Sequence, residues 1–63
     1  MEENKKQQIV HWFSEFIEIA NNFWKEDNIE LFNYWKGQVM GLSKMVNLLE
    51  LDIDTDYYLK KMP

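Results

Sequence analysis

Between residues 9 and 24 the apolar and polar positions separate cleanly when wound at about 100° per residue. Ile9, Val10, Trp12, Phe13, Phe16, Ile17, Ile19, Ala20, Phe23 and Trp24 fill one arc of roughly 180°. His11, Ser14, Glu15, Glu18, Asn21, Asn22 and Lys25 fill the other. A surface helix needs an apolar stripe of only about 100° to cover a core. This helix therefore carries more apolar surface than one packing partner can absorb. The periodicity predicts a first helix over about 4–24, a break at Lys25-Glu26-Asp27-Asn28, and a second helix over about 28–51. Asp27 followed by Glu30 reads as a capping box for the second helix. A turn at Asp52-Ile53-Asp54-Thr55-Asp56, with Asp54 or Thr55 as cap, leads to a short last helix over about 55–62.

Two helices of similar length joined by a short loop predict an antiparallel hairpin. Ile9, Phe13, Phe16, Ala20 and Phe23 repeat at 4-3-4-3 spacing, and Leu31, Trp35, Gln38, Leu42, Met45 and Leu49 at 4-3-4-3-4. Both are a/d seams of the coiled-coil type, broken only by the polar Gln38. The fold class expected is all-α: a two-helix hairpin with a coiled-coil-like seam plus a short C-terminal helix. Residues 1–63 form one domain on this reading.

The flanks of the seam fall on two sides. On one, Val10, Ile17 and Trp24 stand beside Val46, Val39 and Phe32, each pair summing to 56 in residue number, as one antiparallel register requires. On the other, Trp12 and Ile19 face Tyr34, Gly37, Gly41 and Leu48, with Gly37 and Gly41 making a notch in the second helix. A terminal helix of about eight residues can cover only one side. The expected remedy is a homodimer in which two hairpins form a four-helix bundle. Its interface is expected on Val10, Ile17, Trp24, Phe32, Val39 and Val46. Trp12, Ile19, Tyr34, Gly37, Gly41 and Leu48 are then the surface for a different protein.

Composition narrows the function. At 63 residues, 46% apolar and 16% aromatic, the chain is too apolar for disorder but near the size at which single domains become marginal. It contains no cysteine and one histidine, which removes disulfides and the usual zinc sets. Seven lysines, no arginine and eleven acids give a net charge of −4, which argues against nucleic-acid binding. No apolar run reaches transmembrane length, and Met1 to Gln8 does not read as a signal peptide, so a cytoplasmic protein without membrane contact is expected. The Lys, Asn, Ile and Glu bias suggests an AT-rich source such as a low-GC bacterium or its phage.

Candidate chemistry is sparse. Asp52, Asp54 and Asp56 begin like a calcium loop, but its required Gly and Glu positions hold Tyr57 and Pro63. His11 lies near Glu15 and Glu18 on a solvated face, which is not a catalytic arrangement. Ser43 is followed at the fourth position by Asn47, not by the aspartate of the sporulation phosphatase motif. No metal, cofactor or catalytic residue is expected. Glu2, Glu3, Glu15, Glu18, Glu26, Asp27, Glu30 and Glu50 are interspersed with lysines, which makes an acidic DNA mimic a lesser alternative. The main expectation is a small non-enzymatic interaction module, a regulator or inhibitor that binds a larger protein. The principal alternative is a structural subunit of a homo- or hetero-oligomeric assembly.

Overall fold

The computed structural model describes residues 3–63; Met1 and Glu2, the start of the expected domain and the first of the dispersed acids, lie outside the described residues. Three helices follow in order: α1 over Glu3–Lys25, α2 over Ile29–Leu48 and α3 over Thr55–Leu59. No strand occurs among the described residues. α1 and α2 pack along their lengths, and the molecule measures 38 × 18 × 16 Å between Cα atoms.

Both long helices stop by the same device. The backbone N–H of Asn28 donates to the Phe23 carbonyl at 2.9 Å and that of Asp27 to the Trp24 carbonyl at 3.1 Å. At the end of α2, Leu51 donates to Val46 at 3.0 Å and Glu50 to Asn47 at 3.2 Å. These paired bonds form Schellman motifs, and each puts one residue in the left-handed region: Asp27 at φ 61° and Glu50 at φ 55°. Asp27 is thereby committed to ending α1. The cap of α2 is Asn28 instead, whose side-chain oxygen accepts from the Leu31 N–H at 3.2 Å. The expected Asp27–Glu30 capping box is corrected on this point. α2 ends at Leu48, short of 51, because Glu50 turns the chain so that Leu51 folds back onto the core. At α3 the Asp54 carboxylate accepts from the Tyr57 N–H at 3.3 Å, and the helix closes at Leu59 with turns continuing to Met62.

The core line differs from the expected seam. Ile9, Phe13, Ile17 and Ala20 of α1 are buried against Phe32, Val39, Leu42 and Val46 of α2, with Met62 closing the cluster. Phe16 and Phe23 are only half-buried, as are Trp35 and Met45, while Leu31 and Leu49 are exposed. The residues after α2 supply the cause. Leu51, Ile53, Tyr58 and Leu59 all pack on this cluster. The Tyr58 ring stacks on Phe13 with centroids 4.8 Å apart and planes 13° from parallel. Asn21 Nδ2 donates to the Lys61 carbonyl at 3.0 Å, and Lys36 Nζ to the Pro63 carbonyl at 3.3 Å. The C-terminal segment thus lies over the side of the hairpin that carries Ile17 and Val39. With a third element there, maximal burial shifts from the centre of the two-helix seam toward it.

A left-handed conformation costs a residue with a side chain about 1 kcal/mol, and glutamate has less local compensation than aspartate. Glu50→Gly is expected to stabilise the fold by about 0.5–1 kcal/mol, raising the calorimetric midpoint by several degrees. Asn28→Ala should lower stability by about 1 kcal/mol through loss of the cap. An unchanged midpoint for Glu50→Gly would remove the Schellman account of where α2 ends.

Candidate functional site

The two sides of the hairpin have opposite fates. Of the six residues expected at a dimer interface, Ile17, Phe32, Val39 and Val46 are buried within the single chain, and Val10 is half-buried. Trp24 is 46% exposed, with its ring tilted on Phe32 at 4.9 Å between centroids. Phe32 belongs to the 56-sum register with Trp24, so the two helices meet in that register there. The strip itself is interior, because the C-terminal segment covers it. Within the single chain Ile17, Phe32, Val39 and Val46 are already spent on the core, and Trp24 is the main exposed member of the strip.

The other side is open. A groove of about 470 Å³ runs between α1 and α2, lined by Trp12, Phe16, Gly37, Gln38, Gly41, Leu42 and Met45. Gly37 and Gly41 form part of its wall. A Cβ placed on either glycine would meet nothing within 4 Å. Neither glycine has a positive φ, so the backbone does not call on their conformational freedom. Trp12, 38% exposed, stands at one edge of the groove. Phe16 packs against Trp35 at 5.5 Å, and Trp35 takes the edge of Tyr34 at 5.5 Å.

Of the six residues expected to bind a different protein, Trp12, Gly37 and Gly41 line the groove together. Tyr34 at 57% exposure and Leu48 at 81% lie outside its lining, as does the half-buried Ile19. Phe16, Leu42 and Met45 join the groove although their seam positions suggested the hairpin interior, together with Gln38, the polar position of that seam. Their 4-3 spacing was the available signal. It did not reveal that Phe16 and Met45 sit at the margin of the core while Leu42 is buried within it.

The residues that line the groove are uncharged. On α2, Tyr34, Gly41 and Leu48 follow at seven-residue steps, as do Leu31, Gln38 and Met45. On α1, Trp12 and Ile19 form one such step and Phe16 and Phe23 another. Seven residues are nearly two helical turns, so each set is a stripe along its helix.

Two ion pairs are found among the described residues, both on the surface. His11 Nε2 lies 3.0 Å from a Glu15 carboxylate oxygen, one turn on and well exposed. Lys6 reaches Asp52 at 3.6 Å. Among the described residues no three His, Asp or Glu side chains converge as a metal site, and no helix is long and apolar enough to cross a membrane. No protein-family model matches the chain, and neither a curated protein nor a solved structure is significantly similar to it.

With no neighbour to disturb, alanine at position 37 or 41 changes only helix propensity, by about 0.5–1 kcal/mol in its favour. Gly37→Ala and Gly41→Ala are each expected to raise the stability of the isolated fold by that amount in urea denaturation at about 1 µM chain. A loss of stability in either variant would show that the groove wall is closed in solution.

Proposed function

We propose that this chain is a small, non-enzymatic protein–protein interaction module that acts as a regulator or inhibitor by binding a larger protein. The observation that carries the reading is the open groove with bare glycine backbone at Gly37 and Gly41, edged by Trp12, Phe16 and Met45. Exposed apolar faces of several hundred Å² are uncommon on monomers and characteristic of binding surfaces. An aromatic residue beside a cleft is the usual anchor of such contacts, and the cleft admits a side chain or helix from the other protein.

The second reading is a structural subunit whose open face is covered in its own assembly, the dimeric four-helix bundle being the simplest form. The seven-residue stripes on both helices favour it, because that spacing suits packing against further helices. Both readings use the same face and involve no catalysis.

Immobilised chain should capture a protein from its native cell extract, and Trp12→Ala and Gly41→Leu should each lose it. Tyr57→Ala, exposed on α3 away from the groove lining, should retain it. Identical captures by all four forms would overturn the binding role of this face.

A further inference from the structure

We infer that the first occupant of this face is α2 of a second copy of the chain, lying antiparallel across Gly37. This inference rests on the reading of the face as an interaction surface and names its partner. α2 contains three charged residues, Glu30, Lys36 and Lys44. Lys36 is engaged within the chain, donating to the Pro63 carbonyl and lying 5.7 Å from the Phe32 ring centroid. Glu30 and Lys44 are exposed and enter neither of the ion pairs found among the described residues.

Their positions are symmetric. Glu30 precedes Gly37 by seven residues and Lys44 follows it by seven. Each therefore lies about 10 Å along the axis from Gly37, in opposite directions and on nearly the same face. When two α2 helices cross antiparallel with their Gly37 residues opposed, Glu30 of each copy faces Lys44 of the other. The arrangement is isologous, as a two-fold dimer requires, and forms two ion pairs from side chains otherwise unpaired. A parallel pairing would instead oppose like charges.

The remaining surface suits the same contact. Between the two charges the face presents Tyr34, Gly37 and Gly41, without charge, so the net −4 of each copy does not oppose approach there. Glycine at the crossing lets the two backbones come closer than any other residue permits. A specific pairing needs on the order of 500 Å² buried per copy. That is about 1,000 Å² in all, the lower range of specific interfaces. The pairing is consequently of moderate strength, and a larger protein using the groove competes with it.

The test is a charge exchange on the full chain, read by sedimentation equilibrium from about 1 to about 500 µM. The unaltered chain is expected to show the mass of two chains in the upper part of that range. Glu30→Lys and Lys44→Glu should each raise the dissociation constant about tenfold, since each turns two attractions into repulsions. The double variant Glu30→Lys with Lys44→Glu should return it to within about threefold of the original. Circular dichroism should show unchanged helix in all forms, because both side chains are exposed. Leu48→Glu, also exposed, supplies a second and independent weakening.

A one-chain mass throughout would overturn the inference, as would a double variant weakened by the product of the two single effects. A one-chain mass with capture still lost on Trp12→Ala leaves the interaction module standing with a different partner. Capture unaffected by Trp12→Ala, beside a dimer that obeys the charge exchange, removes the larger target and keeps the pairing.

Discussion

Everything in this fold depends on where the C-terminal segment docks. A two-helix hairpin has two apolar flanks, and the segment after α2 packs on one of them. The stacking of Tyr58 on Phe13, the burial of Met62, and the bonds from Asn21 and Lys36 to the Lys61 and Pro63 carbonyls bring it to the Ile17–Val39 side. An offset aromatic pair contributes about 0.5–1.5 kcal/mol beyond its buried area, a large share of what one short helix can gain. The Schellman turn at Glu50 aims the segment, because Leu51 must fold back over Val46 for its N–H to reach that carbonyl. Once this side is covered, the opposite one stays open among the described residues.

The consequence is a core with an off-centre axis. A hairpin alone would centre its burial on the a/d seam, between Phe16 or Phe23 and Trp35. Adding a third element on one side makes Ile17, Phe32, Val39 and Val46 the middle of a three-part packing. The large seam aromatics are displaced to the margin, where Phe16 lines the groove. Groove and core are thus two results of a single docking event.

Much of this was legible from residue order. The period of the apolar positions placed three helices and a hairpin, and the 56-sum register paired Trp24 with Phe32, which the structure brings into ring contact. The choice of side was not legible. Tyr57, Tyr58, Leu59 and Met62 are apolar enough to pack on either flank, and the selection comes from contacts with Phe13, Asn21 and Lys36 across 27 to 45 residues of chain. The α2 cap was misplaced by one residue for a different reason. Asp27 and Asn28 are both good caps, and only the left-handed backbone at Asp27 decides between them. At the groove, Gly37 and Gly41 pointed to the notch, whereas Phe16, Leu42 and Met45 were hidden in a seam that was expected to be closed.

The two glycines carry the argument from fold to interaction. Each costs an α-helix about 0.5–1 kcal/mol relative to alanine. A domain of this size has a total stability of only about 3–9 kcal/mol, so the pair weighs heavily. Among the described residues nothing offsets this: no side chain approaches either Cα closely enough to exclude a methyl group, and neither glycine adopts a positive φ. For the isolated chain, alanine at both positions is the better choice. The sign reverses only when another backbone must come close to α2 at this level. A small apolar ligand gains little from a missing methyl group on a wall this open, whereas a crossing helix gains contact along its whole width. A crossing helix also meets Glu30 and Lys44, which stand seven residues to either side of Gly37 and enter no ion pair among the described residues. Bare backbone at the centre and opposite charges at equal distances are what a helix needs in order to pair with a copy of itself.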